Sequence, residues 1–550
     1  MKTLIIGGVA GGASVAARLR RLDETAEIII LERGEYISFA NCGLPYYIGD
    51  VITKKEYLVL QTPKSFDARF RVEVRVLSEA VAINPEKKTV TVKNLRTGEI
   101  YEESYDKLVL SPGAEPVRPS YVPADSSRIF KLRNIPDTYK IKDYITAKQC
   151  RSAIVIGGGY IGIEMVENLR RTGMDVTLLQ RSNQVLRNTL DYDMACLLHK
   201  ELKKQGVQIH FNQTVTAVEQ QSDMVCVHNA EGQTYCADML ILSIGVSPES
   251  DLARNAGLAV AENGCIQVDE HLRTSNEDIY ALGDAIEVTH FVSGRKAHIP
   301  LAGPANRQGR IVADNLAGID STYKGTQGTA ILKCFDLTAA GTGLTEAAAK
   351  AAGFDYEKVY VFPPSHATYY PNACEISMKV LFTKDTGRIL GAQLIGKDGV
   401  DKRCDVLATA IRGNMTMYDL VHLELSYAPP FSSAKDPVNI AGLAAENILT
   451  GKVDIFHYHD LSELDPEEIT LLDVRTVKEY GKGRISDDFI NIPLDTLRDN
   501  LDKLDKSRPV YVTCLAGLRS YIACRILTQN GFTCKSLSGG YQIFCNVQNN

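Results

Sequence analysis

The stretch Ser152–Arg181, SAIVIGGGYIGIEMVENLRRTGMDVTLLQR, decides how this chain is read. It opens with an unbroken apolar run, turns at a cluster of glycines, continues with apolar residues on one helical face, and ends in a second apolar run. A strand buried on both faces of a parallel sheet reads as a continuous apolar run, and the helix that covers it carries a 3.6-residue period. The stretch is therefore a β-α-β unit. Gly157, Gly159 and Gly162 fit the G-x-G-x-x-G turn, where glycines let the backbone approach a pyrophosphate at a helix N-terminus with its free N–H groups and partial positive charge. The pattern carries weight because a strand precedes it and a helix follows.

The same grammar opens the chain: TLIIGG, VAGG, ASVAARLRRL, then EIIILER. Gly7 and Gly12 take the outer positions of the turn, Val9 occupies the middle one, and Gly11 relieves the crowding. Glu32, followed by Arg33, ends the second strand, where a carboxylate accepts hydrogen bonds from a ribose. The matching place in the second unit reads Gln180-Arg181. A carboxylate there favours NADH and repels a 2′-phosphate, whereas an arginine accepts one, so NADH and NADPH both stay open. A further strand, in TSNEDIYALGDA, ends at Gly283-Asp284. Two such units with a Gly-Asp strand end resemble the two-dinucleotide-binding flavoprotein reductases. The resemblance implies FAD in the first unit, with Asp284 on its ribityl chain, and the nicotinamide in the second.

The chain has 550 residues, too many for one domain and enough for roughly three to five. Apolar residues are 45%, charged residues 23% and the net charge −6, with no long run of one sign, which gives no sign of nucleic-acid or membrane binding. No apolar run approaches the roughly 18 residues of a membrane helix. The start, MKTLIIGGVAGG, passes straight into a strand pattern with no signal-peptide core, so a cytoplasmic location is expected. The 13 cysteines are scattered, with no spacing that predicts a metal site. Cys150, Cys196, Cys226, Cys236, Cys265, Cys334, Cys374, Cys404, Cys524, Cys534 and Cys545 are expected to be ordinary thiols. Cys42 and Cys514 stand in special contexts.

Cys42 lies in SFANCGLPYY, Ser38–Tyr47, with no second cysteine close by. A free thiol is only a few per cent thiolate at neutral pH. A neighbouring flavin and a helix N-terminus are expected to raise that fraction. With no partner thiol, its oxidised form is a sulfenic acid or a mixed disulfide with a small thiol. The first implies a peroxidase or oxidase, the second a held thiol cofactor. Ser14, Arg18 and Arg21 share one face of the preceding helix. Such a face fits an anionic thiol such as coenzyme A; it equally fits a solvated basic surface, and the residues alone do not separate the two.

SFANCGLPYY, GGVAGG, PLAGPANRQGR and SYAPPFSSAKDPVN together closely resemble the coenzyme A-disulfide reductases, over residues 1 to about 448. The related NADH oxidases and peroxidases share the shorter Asn-Cys-Gly core. The resemblance implies coenzyme A contacts from Ser14, Arg18, Arg21, Ser38, Asn41, Asn306 and Lys435, with Arg69 and Arg71 as further phosphate ligands. It also implies two tyrosines reaching the reactive sulfur from the partner of a homodimer: Tyr427, and Tyr369 in preference to Tyr370 in HATYYPN, where the ending departs from the family's YYPG.

Cys514 lies in YVTCLAGLRS, a strand, a glycine-containing loop and a helix expected to begin near Ser520. Loop N–H groups at a helix N-terminus stabilise a thiolate or persulfide, and Arg519 adds positive charge. With LLDVRTVKEY before it and SLSGGY after, the pattern resembles a rhodanese domain, in which Asp473 and Arg475 are expected to pair structurally. Gly483-Arg484-Ile485 stands where rhodaneses often read Gly-His-Ile.

The expected architecture is α/β: a Rossmann-like FAD-binding domain over 1–112 and 246–325, and a Rossmann-like NAD(P)-binding domain over 113–245. An α+β dimerisation domain over 326–448, a linker over 449–456 and an α/β rhodanese domain over 457–550 follow. The expected activity is NAD(P)H-driven reduction of coenzyme A persulfide or polysulfide, with sulfur delivered through Cys514. Coenzyme A-disulfide reduction, an NADH oxidase or peroxidase, and a redox sensor are the competing readings.

Overall fold

A computed structural model describes residues 1–548 as two bodies, Met1–Ser182 with Gly206–Gly328, and Asn183–Gln205 with the chain from Thr329 onward.

In the first body, β1 (Lys2–Ile6) runs into α1 (Ala10–Leu22) and returns through β2 (Glu27–Glu32), parallel to β1. Leu4 and Ile5 in β1, and Val15, Ala16 and Leu19 on one face of α1, have no exposed surface, so the apolar run and the helical period meet in one core. The sheet order is Ile279–Ala281, Lys107–Leu110, β1, β2, Glu73–Val76, all parallel. A short helix, α2 (Leu44–Ile48), follows β2. The second unit repeats the plan: β3 (Ser152–Ile156), α3 (Tyr160–Arg171) and β4 (Asp175–Leu179), inside a second five-stranded parallel sheet. The turns carry the expected glycines for steric reasons. Gly7 has φ +96°, and a Cβ on Gly12 would stand 1.9 Å from the Gly7 carbonyl oxygen; Gly157 and Gly162 repeat both features. Helix α4 (Ala302–Leu316) packs against α1 at Gly309, where an added Cβ would lie 2.8 Å from the Ser14 Cβ.

In the second body, a five-stranded antiparallel sheet has Ile376–Thr383 and Ile389–Gly396 buried along their full length. The C-terminal sheet is parallel, ordered Asp454–Phe456, Cys534–Leu537, Val510–Thr513, Thr470–Asp473, Ile490–Asn491. Two of its loops lead into α5 (Val477–Lys482) and α6 (Leu518–Gln529).

The segment 183–205 groups with the second body. Lys379 there is fully buried and bonds Asp191 at 3.0 Å, Asp193 at 2.9 Å and Glu346. A buried ammonium persists only when it is paired, so this cluster ties the helix Tyr192–Lys204 to the antiparallel sheet. The expected linker over 449–456 is shorter than that, because Leu449 still ends a helix and Asp454–Phe456 is the edge strand of the last sheet. Cys226 and Cys236, expected as thiols, form a disulfide, since they are register partners on adjacent antiparallel strands.

Candidate active sites

Cys42 sits in a single 3-10 turn, Asn41–Gly43, that leads directly into α2. It is free and reaches the surface. The groups packed around it push its thiol up: desolvation most, then the carboxylates of Glu164 and Asp284. The polypeptide's own groups therefore oppose the thiolate, contrary to the lowering expected from a helix N-terminus; α2 has only five residues. Glu164, on α3, accepts a hydrogen bond from the Tyr46 hydroxyl at 3.3 Å, and burial pushes it up to about 7. Burial and the same carboxylate hold the Tyr46 phenol protonated. Sequence reasoning missed this pair. Its signal was present: Tyr46 stands four residues after Cys42, and Glu164 two after Gly162 in the nucleotide turn.

The two nucleotide turns use different side chains for one task. Glu32 accepts the N–H groups of Gly8 at 2.9 Å and Gly34 at 2.8 Å, and Gln180 accepts that of Gly158 at 2.8 Å. A carboxylate offers about four acceptor positions, so Glu32 keeps capacity for ribose hydroxyls. Arg33 is engaged with Glu249 at 2.7 Å, and Arg181 is exposed. A Cβ on Gly159 would meet nothing within 4 Å; its own packing does not demand glycine, and the open space outside the turn fits an approaching phosphate. Asp284 is pushed up by burial, and no hydrogen bond from the described residues reaches its carboxylate. A desolvated acceptor of this kind suits the hydroxyls of a ribityl chain, so these residues fit FAD.

The close crossing of α1 and α4 at Gly309 brings two expected coenzyme A residues together: the Ser14 hydroxyl donates to Asn306 Oδ1 at 2.6 Å. Arg18 is held by Asp314 at 2.8 Å, while Arg21 is exposed. Arg20, between them in number, is buried and donates to the carbonyls of Phe70 and Arg71 at 2.8 Å, which anchors the segment that leaves Arg69 and Arg71 exposed. Ser38 has φ +43° and bonds Gly8 through its backbone at 2.9 Å; Asn41 is exposed.

In the second body the Tyr369 and Tyr427 hydroxyls lie 2.9 Å apart on the surface, whereas the Tyr370 ring packs edge-on against His366. Buried Arg403 bonds Asp436 at 3.0 Å and the Ser365 carbonyl at 2.9 Å, pinning the two loops that carry the tyrosines. Lys435 beside it is exposed.

Cys514 is buried where strand Val510–Thr513 ends. Its sulfur accepts the Gly517 N–H at 3.1 Å and lies 3.4 Å from the Ser520 hydroxyl. Gly517 adopts φ +104°, and α6 begins at Leu518, two residues before the expected start. Gly540 lets the C-terminal helix close on the loop, since a Cβ there would lie 2.6 Å from the Cys514 carbonyl oxygen. Asp473 and Arg475 form a buried ion pair at 2.6 Å, with the guanidinium over the Tyr541 ring. Arg519 does not stand as a free charge: it is bidentate with Glu479, at 2.8 and 2.7 Å.

Two dinucleotide turns on parallel sheets, a lone cysteine after the first, and a second cysteine in a loop of N–H donors define a nucleotide-dependent thiol oxidoreductase joined to a sulfur-handling domain. The chain belongs to the pyridine nucleotide-disulphide oxidoreductases: that family's model matches residues 1–309, its dimerisation domain matches 329–437, and a rhodanese-like domain matches 459–546. A chain with such a dimerisation domain pairs with a second copy of itself. The chain is 38% identical over 446 residues to the coenzyme A disulfide reductase of Staphylococcus epidermidis, which spans 81% of this chain and all of that protein. It is similar to the crystal structure of reduced Bacillus anthracis CoADR-RHD, with 52% identity, a TM-score of 0.97, and coverage of 100% of this chain and 98% of that one. It is also similar to an NAD-dependent persulfide reductase from A. fulgidus, with 37% identity, a TM-score of 0.92, and 99% and 100% coverage. Among the described residues no helix is long and apolar enough to cross a membrane, and no cluster of His, Cys, Asp and Glu could hold a metal ion.

Proposed function

We propose that the chain is a cytoplasmic FAD-dependent NAD(P)H:coenzyme A persulfide or polysulfide reductase that releases sulfide. The observation that carries this reading is a free Cys42 flanked by acids in a chain whose second special thiol, Cys514, lies in a persulfide-stabilising loop. The balanced reaction is CoA–S–SH + NAD(P)H + H⁺ → CoA–SH + H₂S + NAD(P)⁺. FAD bound in the first unit supplies the two-electron link from nicotinamide to sulfur.

Cys42 attacks the sulfur bonded to the coenzyme A carbon. The terminal sulfur leaves as hydrosulfide, and Cys42 is left in a mixed disulfide with coenzyme A. Two electrons return both thiols. Ser14 and Asn306 orient the nucleotide end, and exposed Arg21, Arg69 and Arg71 face its phosphates. The partner subunit's Tyr427 and Tyr369 donate to the leaving hydrosulfide. Glu164 holds a proton near neutral pH, relayed through Tyr46 toward the Cys42 side. Cys514 loads sulfur from outside donors. Gln180-Arg181 admits either nicotinamide.

A second reading, coenzyme A-disulfide reduction, is favoured by the Staphylococcus relatives. Steady-state NAD(P)H consumption with coenzyme A persulfide and with coenzyme A disulfide separates the two, and peroxide and oxygen as controls separate both from an oxidase or peroxidase. Faster turnover and stoichiometric sulfide with the persulfide are expected. Cys42→Ser abolishes it, and non-reducing mass spectrometry finds the coenzyme A adduct on the Cys42 peptide. Faster turnover with the disulfide assigns the chain to the second reading.

A further inference from the structure

Cys226 and Cys236 stand in a side-chain cluster that the reaction above does not use. The strands Val215–Gln220, Val225–Asn229 and Thr234–Ala237 form one antiparallel sheet, with Glu219, Cys226 and Cys236 in register across it. Side chains alternate between the two faces of a strand, so Cys226 and His228 share one face and Val225 and Val227 the other. Val225, Val227 and Ala237 pack into the apolar core with Ile154, Ile156 and Leu179 of the nicotinamide unit. The opposite face therefore carries Glu219, the Cys226–Cys236 disulfide and His228 together. His228 Nδ1 lies 2.9 Å from the Thr234 hydroxyl. Its Nε2 lies 3.7 Å from a Glu219 carboxylate oxygen, shielded from solvent and with no hydrogen bond from the described residues. The two sulfur-bearing residues are unequal: Cys236 is exposed, whereas Cys226 is 1% exposed. Among the described residues every other cysteine is free.

Exposed disulfides are the ones that exchange, because an outside thiolate can reach a sulfur. The hairpin has two further ties, the ladder from Val225 and Ala237 to His228 and Thr234 and its buried apolar face, so the cross-link can open without parting the strands. Exchange needs a reachable sulfur, a leaving sulfur that takes a proton, and a group beside it that moves that proton. Cys236, Cys226 and His228 supply these in turn. We propose that Cys226 and Cys236 are a reversible dithiol–disulfide site, separate from Cys42 and Cys514, that small thiols open at Cys236 and sulfane sulfur closes. Opening begins with Cys226–S–S–Cys236 + R–S⁻ → Cys226–S⁻ + Cys236–S–S–R. His228 gives its proton to the Cys226 sulfur and regains one from water. A second thiolate then frees Cys236: Cys236–S–S–R + R–S⁻ → Cys236–S⁻ + R–S–S–R. The small thiols are oxidised and the pair is reduced. Closing runs through a persulfide: Cys236–S⁻ + R–S–SH → Cys236–S–SH + R–S⁻. With its proton returned to His228, Cys226 attacks: Cys226–S⁻ + Cys236–S–SH → Cys226–S–S–Cys236 + HS⁻. The pair is oxidised, and the sulfane sulfur leaves reduced as hydrosulfide.

The test uses the full-length, FAD-loaded chain carrying Cys42→Ser and Cys514→Ser, without nicotinamide and without oxygen, so that neither described sulfur site takes part. The state of Cys226 and Cys236 is read by differential alkylation and mass spectrometry. The unsubstituted chain, run beside it, needs no variant to fold. Glutathione is expected to convert the disulfide to two thiols while the far-UV circular dichroism stays unchanged. Inorganic polysulfide is then expected to restore the disulfide with stoichiometric release of sulfide. Adding Cys226→Ser should strand the persulfide on Cys236, and Cys236→Ser should leave Cys226 without one. His228→Asn should slow opening at least about tenfold. A pair that stays closed in glutathione, or that opens only as the circular dichroism of the folded chain is lost, is a structural cross-link and overturns the inference. So do thiols that polysulfide leaves open, and a persulfide found on Cys226 instead of Cys236. Opening at an unchanged rate in His228→Asn overturns the proton transfer assigned to that residue.

Discussion

Replacing Glu164 by glutamine is expected to change the reactivity of Cys42 in a pH-dependent way that a general loosening of the site would not reproduce. Burial raises Glu164 from 4.5 to about 7, and its charge is one of two carboxylates that push the Cys42 thiol up. That shift of about 2.5 units corresponds to about 3.4 kcal/mol against the ionised carboxylate. At pH 6 only about a tenth of the molecules carry the Glu164 charge, and at pH 8.5 nearly all do. One like charge in a partly buried site is worth about one pKa unit, or roughly tenfold in thiolate. The assay is the rate of Cys42 alkylation by iodoacetamide in the FAD-loaded, NADH-reduced enzyme freed of coenzyme A. The unsubstituted enzyme and Glu164→Gln should react at similar rates at pH 6, where both carry a neutral side chain. At pH 8.5 the variant should react about tenfold faster. Equal rates at pH 8.5, or the same ratio at both pH values, would remove Glu164 from the electrostatics of the thiol.

Lys379→Met leaves three carboxylates without their buried cation and should cost about 3–5 kcal/mol, lowering the calorimetric midpoint of the second body by about 6–20 °C at pH 7. Glu346, held at about 2 instead of 4.5 by Lys379 and Lys358, stabilises fully above pH 4.5 and loses that contribution as pH falls toward 2, so the deficit should narrow below pH 4.5. A deficit under about 1 kcal/mol, or one unchanged by acid, contradicts the cluster's role. Gly309→Val drives a side chain into Ser14 and the Gly11 carbonyl across the α1–α4 crossing. It should cost about 1–3 kcal/mol and raise KM for coenzyme A persulfide more than it lowers kcat; an unchanged KM separates Ser14 and Asn306 from the substrate. Cys514→Ser should spare reduction of preformed coenzyme A persulfide and impair use of external sulfur donors. Parallel losses with both substrates refute separate roles for the two cysteines.

The fold was legible where a local pattern carried its own steric demand. The two glycine turns, the Gly-Asp strand end at Asp284 and the Cys514 loop each need particular residues at fixed spacing, and each stands where its spacing put it. What escaped was set by partners distant in sequence. Nothing near Asp193 announces that a lysine almost two hundred residues later will bury against it. Cys226 and Cys236 pair because two strands align in one register, and register is a property of the hairpin rather than of either residue. Arg519 read as a free positive charge because its neutralising carboxylate, Glu479, lies in another helix. Arg18, expected as a coenzyme A contact, likewise has a partner, Asp314, far along the chain.

The two sulfur sites differ in the way their proposed tasks require. A persulfide that waits for its acceptor needs its charge spread over fixed donors and its sulfur kept from solvent. Cys514 has this in the Gly517 N–H and nearly complete burial. A thiol that attacks, expels hydrosulfide and is regenerated by electrons needs access and a proton source. Cys42 has an open surface and, in Glu164, an acid that exchanges its proton near neutral pH. Exchanging these environments would defeat both: an N–H cradle at Cys42 would stabilise the resting thiolate and weaken its attack, while neighbouring carboxylates at Cys514 would repel the persulfide anion. The separation of the two cysteines into different domains is thus a chemical requirement, because one sulfur atom cannot be surrounded by donors that hold negative charge and by acids that oppose it at the same time.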